Sequence, residues 1–266
     1  IGPNNINKGW DWCSGYHYSD SIVIGFSHLH LNGTGCSDTG DILFMPYTGK
    51  ARTQPGTQQD PLAGYASYYS KDNERALPGY YEVLLKTHRT KVELTASDRV
   101  AFHRYTFPKD VEKHVMINLK DANGDDRPTD TYLEQINDTV IRGYRYSTGW
   151  SKKQQIYFSA VFSQPVHLTL YHDSVQVAGN RLQGLDVKGN VAVAVVEELG
   201  VKVGISPVSM ENAMDNIGQE IKDWNFENIV AETTGKWNAE LSKLQVETTD
   251  TVAKRIFYTA LYHAFM

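Results

Sequence analysis

The chain has 266 residues, with 26 Lys and Arg against 31 Asp and Glu, a net charge of −5, 41% hydrophobic and 21% charged residues. This is ordinary globular composition, and without a basic block it argues against nucleic acid as a partner. No run of 18 apolar residues offers a membrane span, and no charged and apolar leader of the secretory type opens the chain, although a leader removed earlier would leave the same beginning.

Residues 9–41, GWDWCSGYHYSDSIVIGFSHLHLNGTGCSDTGD, are unlike generic core: two tryptophans, three histidines, both cysteines and six glycines share one short stretch. Its middle, 21–31, alternates as a strand does, so Ile22, Ile24 and Phe26 face one way and His28 and His30 continue that side. An apolar face ending in two histidines is a candidate site. The flanks, with Gly33, Gly35 and Gly40 beside Thr34, Ser37 and Asp38, read as loop. Cys13 and Cys36 either form a disulfide worth roughly 3 kcal/mol or are buried thiols. His28 and His30 can both point at one zinc ion, yet no third ligand is placed, which favours direct hydrogen bonding to a polar ligand.

From 41 to 206 the pattern is β. A short apolar run at 41–46 is stopped by Pro46, a loop rich in Gly, Gln, Thr and Pro follows, and 65–70 re-enters a sheet. Strands are predicted at 79–86, 90–96, 99–107, 114–120, 131–137, 139–146, 154–162, 166–172 and 191–197, with Val92 and Leu94 on one side and Val100, Phe102 and Arg104 sharing another. Many short strands at about ten-residue spacing predict a sandwich. The abundance of aromatics, 16 tyrosines and 5 tryptophans, suits twisted sheets as well as sugar-stacking surfaces. DANGDD (121–126) mimics the opening of a calcium loop but has Asp126 at position six and Tyr132 at position twelve, so it reads as a solvated turn. Arg99, His103 and Arg104 read as a charge ladder on a sheet surface. Asn32-Gly-Thr34 and Asn137-Asp-Thr139 match the N-glycosylation acceptor pattern, relevant only in a eukaryotic secretory pathway.

After Ser206-Pro207 the spacing turns helical. Met210, Met214, Ile217 and Ile221 form one stripe; Phe226, Ile229, Val230, Trp237, Leu241 and Leu244 form one or two further helices joining around 233–235. Thr249-Asp250 caps a last helix with a broad apolar face made by Val252, Ile256, Phe257, Ala260, Leu261 and Ala264. That face calls for partners, and the chain is expected to be part of something larger.

GWDWCSGYHYSDS, GFSHLHLNGTG and the GD after it resemble the N-terminal domain of glycoside hydrolase family 92, the exo-acting α-mannosidases. LPGYYEVLL, LTASDRVAFHRYTFP, ISPVSMENA, WNAELSKLQVET and KRIFYTALYHAF resemble that family in the same order. Two departures stand out: Thr is common in the family at the position of Leu29, and Ser at that of Asn32.

The resemblance implies a mainly β fold, an antiparallel supersandwich-like β-sandwich over 1–206, a helical linker over 207–235, and over 236–266 the first helices of an (α/α)6 catalytic barrel. It further implies inverting, calcium-dependent hydrolysis of terminal α-mannosides, with α-1,2 linkages expected, in a periplasmic, extracellular or cell-surface setting of a glycan-degrading bacterium. The acid, the base and most calcium ligands belong to the barrel, so no catalytic residue or metal ligand is assigned in this chain. Trp10, Asp11, Trp12, His28 and His30 are the expected mannose contacts, with Tyr16 and His17 behind them; the expected partners are a mannose-containing glycan and the catalytic domain. A non-catalytic carbohydrate-binding or structural sandwich is the alternative.

Overall fold

The computed structural model describes residues 2–4, 16–30, 39–57, 59–121, 126–194 and 197–265. The N-terminal stretch does not form one strand. It breaks into β2 (Ile22–Val23), β3 (Gly25–Ser27) and β4 (Leu29–His30), preceded by β1 (Gly2–Asn4). The break also divides the expected apolar face: Ile22 and Ile24 pack with Leu43 and Ala66, whereas Phe26 enters the main core. β5 (Thr39–Asp41) then leads into β6 (Leu43–Thr48), which runs through Pro46 instead of stopping there. Pro46 pairs with Val115 on one side, and on the other the pairing with β3 is made at Phe44, so the missing N–H lies past that contact.

The strands that follow in chain order are β7 (Ser67–Tyr68), β8 (Glu74–Leu77), β9 (Tyr80–Leu85), β10 (Thr90–Ala96), β11 (Val100–Thr106) and β12 (Lys113–Asn118). Next come β13 (Arg127–Asn137), β14 (Val140–Thr148), β15 (Gln154–Phe162), β16 (Val166–His172), β17 (Val175–Val177), β18 (Arg181–Gly184), β19 (Val187–Val193) and β20 (Glu198–Ser206). The strand expected at 191–197 overlaps only the end of β19, and β20, like the short strands β17 and β18, is not foreseen from the sequence.

Two antiparallel sheets make a β-sandwich. One has the order β1-β3-β6-β12-β19-β16-β17, the other β18-β13-β14-β15-β20-β11-β10-β9-β8. Period-two alternation assigns the faces: along β14, Ile141, Gly143, Arg145 and Ser147 are buried while Tyr144 and Tyr146 are half-exposed. The core between the sheets is built from Phe26, Phe44, Val92, Leu94, Tyr105, Phe158 and their neighbours.

The other face of the nine-stranded sheet carries helices. Ser209 accepts from the Asn212 N–H at 3.0 Å and starts α1 (Met210–Glu220); Asn225 accepts from the Asn228 N–H at 3.1 Å and starts α2 (Phe226–Leu241). Val100 and Phe102 meet Ile217, Ile221, Phe226 and Ile229 there. Backbone and helix come close enough that a Cβ on Gly204 would lie 2.1 Å from the Ala213 carbonyl oxygen.

Instead of breaking near residue 235, α2 continues unbroken, and Thr233 donates its hydroxyl hydrogen to the Ala96 carbonyl at 2.6 Å, docking the helix on the sheet. Asp250 caps α3 (Thr251–Phe265) by accepting from the N–H groups of Val252 and Ala253. α3 buries no residue fully; Val252 and Ile256 are about two-thirds exposed, and Tyr262 packs on Trp237 at 4.6 Å between ring centroids.

Candidate functional site

Two polar networks tie the described part of the Gly9–Asp41 stretch to the sandwich. In the first, the Tyr16 hydroxyl donates to Glu74 Oε2 at 3.1 Å and accepts from Lys71 Nζ at 2.8 Å. That ammonium lies over the Tyr16 and Tyr69 rings, 4.3 and 4.8 Å from their centroids, while the Tyr81 hydroxyl donates to the other Glu74 oxygen at 2.7 Å. Burial, then the Glu74 charge and hydrogen bond, push the Tyr16 hydroxyl well above its ordinary range, so it remains a donor. His17 and Asp20 close a local turn, the His17 N–H donating to Asp20 Oδ2 at 2.9 Å.

The second is built on His28. Immediately after β3 its N–H donates to the Asp41 carbonyl at 3.1 Å, and its ring Nδ1 lies 2.7 Å from the Ile42 carbonyl oxygen. These two bonds hold a peptide in an unfavourable conformation, because Ile42 has φ +60°, a left-handed value that a β-branched residue rarely adopts. On its other side His28 Nε2 is 2.9 Å from His103 Nε2, and His103 Nδ1 is 2.6 Å from the Tyr105 hydroxyl. Both rings are buried. Burial drives His28 down to about 3 and His103 well below its ordinary value, so neither is charged near neutrality.

Next to Ile42, the Asp41 side chain points into the space between the sheets, where Arg145 Nη1 and Gln154 Nε2 donate to its two oxygens. Arg145 also donates through Nε to the Leu119 carbonyl at 2.9 Å and through Nη1 to Asp126 Oδ2 at 2.7 Å. Asp41 and Arg145 are fully buried. Desolvation lifts the Asp41 carboxyl to about 6 in spite of Arg145, while for Arg145 burial is outweighed by the two carboxylates, which hold the guanidinium charge more firmly. Asp126 Oδ1 and Arg145 Nη2 are buried and have no hydrogen-bond partner among the described residues.

Of the expected contacts, Trp10, Asp11 and Trp12 lie outside the described residues, as do Cys13 and Cys36; the His30 backbone pairs with Thr39 in β4 and β5. His28 is described, and both its ring nitrogens are engaged by the protein. His103, read from sequence as part of a surface ladder, is fully buried, whereas Arg104 beside it does belong to such a ladder, donating to Glu93 at 3.0 and 2.9 Å and pairing with Glu227. Asp126 is not a solvated turn residue: it is buried against Arg145. The sequence reading missed Arg145 and Gln154, although Arg145 lies four residues after Ile141, in phase with the buried face.

Among the described residues no group of three or more His, Cys, Asp or Glu side chains could hold a metal ion. The buried aspartates Asp41 and Asp126 are already paired with a guanidinium, so the described donors do not fit a calcium site.

The family model described as glycosyl hydrolase family 92 N-terminal domain matches residues 1–206, and the one described as the family 92 catalytic domain matches residues 212–266. The chain belongs to glycosyl hydrolase family 92. A family GH92 α-mannosidase from Bacteroides thetaiotaomicron, solved also in complex with mannoimidazole, superposes with a TM-score of 0.93 at 33% identity, covering 98% of this chain and 36% of its own. A family GH92 inverting mannosidase from Bacteroides thetaiotaomicron VPI-5482 shares the fold, with a TM-score of 0.78 at 21% identity over 98% of this chain and 34% of its own. An uncharacterized secreted glycosidase of Arthroderma benhamiae is 23% identical over 95% of this chain and 36% of its length. This family 92 chain therefore spans little more than a third of the relatives it matches. The mainly β sandwich followed by helices is the architecture expected from sequence.

Proposed function

We propose that the chain forms the N-terminal part of an exo-acting, inverting α-mannosidase that removes terminal α-mannose, with α-1,2 linkages preferred, from mannose-containing glycans. The observation that carries this reading is the shared fold at 33% identity, over 98% of this chain, with an enzyme named as an α-mannosidase and seen with mannoimidazole. Residues 1–206 act as the sandwich domain, 207–235 as linker and 236–266 as the opening of a helical catalytic domain, the last junction falling within the continuous α2. The secreted glycosidase among the relatives supports a periplasmic, extracellular or cell-surface setting.

Inverting hydrolysis needs one carboxyl group to protonate the leaving oxygen and a second to activate water from the opposite face, ~6.5–9.5 Å away. The carboxylates of the described site are engaged by Arg145, Gln154, Lys71 and tyrosines, which leaves that pair to be sought outside it. The sandwich contributes grip. Indole faces cover the apolar side of a sugar ring and a carboxylate or imidazole addresses its hydroxyls, and Trp10, Asp11, Trp12 and His30 are assigned these roles. Calcium, bound by the catalytic domain, would supply positive charge near the sugar hydroxyls; its ligands are placed outside the described residues.

The deciding experiment is hydrolysis of an aryl α-mannoside and of mannobioses by this 266-residue chain and by a full-length parent, each with calcium and with EDTA. Activity confined to the parent and abolished by EDTA is the expected result. Turnover by the 266 residues alone would overturn the placement of acid and base, and an inactive parent would overturn the mannosidase reading.

A further inference from the structure

The hydrogen-bond chain through His28 has only one consistent direction. The Ile42 carbonyl can only accept, so His28 Nδ1 carries the proton. A neutral imidazole with its proton on Nδ1 has a bare Nε2, so His103 must carry its own proton on Nε2 and donate it across the 2.9 Å contact. His103 Nδ1 is then bare, and the Tyr105 hydroxyl donates to it at 2.6 Å. The order is Tyr105 O–H to His103, His103 N–H to His28, and His28 N–H to Ile42. It begins on β11 of the nine-stranded sheet and ends at the left-handed Ile42 peptide at the head of β6 in the other.

Among the described residues the chain runs between aromatic rings. His28 meets the edge of Phe44 at 5.0 Å, His103 tilts against the same ring at 6.0 Å, and Tyr105 is fully buried with Phe107 beside it. An unpaired ring nitrogen in such a place carries a desolvation penalty, so three polar groups in an apolar layer persist only while each satisfies the next. What they hold is the turn that aims Asp41 at Arg145 and Gln154, at the end of the Gly9–Asp41 stretch.

We propose that His103 and Tyr105, which belong to the opposite sheet and lie far from the stretch in sequence, are positioning residues for the sugar-contacting stretch, acting through His28 on the Ile42 turn. This rests on the mannosidase reading only for its effect on turnover; the direction of the chain does not depend on it. His28 is accordingly a support beneath the stretch, not a hand extended to the sugar.

Two measurements test the proposal in the full-length enzyme and in this chain. Long-range nitrogen–proton correlation NMR with ¹⁵N-histidine should show His28 protonated on Nδ1 alone and His103 on Nε2 alone. The reverse tautomer on either ring, or an imidazolium at pH 7, would overturn the chain.

For turnover of an aryl α-mannoside, His103→Leu should lower kcat/KM by roughly tenfold to a hundredfold, the scale of a small misplacement at a reacting centre, chiefly through kcat. His103→Gln, whose amide can both donate to His28 and accept from Tyr105, should restore most of it. A folded His103→Leu enzyme with unchanged kcat/KM, or a His103→Gln enzyme no better than His103→Leu, defeats the positioning role. If His103→Leu does not fold, the tautomers and the activity of His103→Gln still decide. An inactive wild-type enzyme defeats the mannosidase reading and leaves the tautomers to judge the chain.

Discussion

His103 and Arg104 are neighbours on β11, yet they belong to two different kinds of polar structure. His103 points between the sheets, where it, His28, Asp41 and Arg145 are buried and Gln154 reaches in to Asp41. Arg104 points to the helix side, 4.3 Å from the Phe226 ring centroid, into a network with Glu93, Glu227 and, through Glu93, Tyr80 and Lys91. Glu93 feels burial pushing its carboxyl up, but hydrogen bonds from Arg104, Tyr80 and Lys91 outweigh it and hold it at about 2. In the layer between the sheets, desolvation wins instead: histidines are kept neutral and Asp41 is raised. Burial therefore has different outcomes on the two faces of one sheet, because three hydrogen-bond donors outweigh it at Glu93 whereas it prevails at His28, His103 and Asp41.

The largest contrast should come from Arg145. Arg145→Met leaves Asp41 and Asp126 buried without their cation and should cost ~3–5 kcal/mol in urea unfolding. A loss near zero would mean that water reaches the layer. Trp10→Ala should reduce mannoside kcat/KM by ~2–4 kcal/mol of transition-state binding with stability retained, the scale of losing a positioned contact. Unchanged kinetics would remove Trp10 from the site.

Acid should act selectively on the layer between the sheets. His28 titrates at about 3 when folded and near 6.5 when unfolded, so its stabilising contribution is complete above pH 6.5 and is lost progressively as pH falls toward 3. His103, whose imidazole burial also drives well below its ordinary value, acts in the same direction. Asp41 opposes them: its raised carboxyl takes up a proton in the folded state first, which favours folding as pH falls from about 6 to its ordinary 3.8. Urea midpoints from pH 7 to 4 should fall, and fall less in a His103→Gln variant.

Gly204→Ala, forcing a methyl against the Ala213 carbonyl, should cost ~1–3 kcal/mol by displacing α1. The smallest effect is expected in the ladder, where Glu227 is 70% exposed and Glu227→Ala should cost less than ~1 kcal/mol, vanishing in high salt.

Much of this organisation is legible along the chain. The strands at 90–96, 154–162 and 166–172 match their observed bounds, and along 166–172 the buried positions alternate without a break. Ser209 and Asp250 announce their helices through side chains that accept from the first-turn N–H groups. β20 escaped, since Gly200 and Gly204 interrupt its pattern; they are small because Trp224 and α1 lie directly on them. The stretch from Trp10 to His30 stands out by its composition, whereas Arg145 and Gln154 carry no local signal of their partners and His103 reads as part of a surface ladder, because all three meet the stretch from strands up to 124 residues away from His30 in sequence.

The sequence by itself determined the family and the β-sandwich followed by helices, because these depend on local period and on ordered blocks of residues. Only the tertiary structure decided that His28 is gripped from both sides, that Arg145 spends its inward position on two aspartates, and that His103 and Arg104 part company. Those outcomes depend on which side chains from distant strands meet, and no local pattern carries that information.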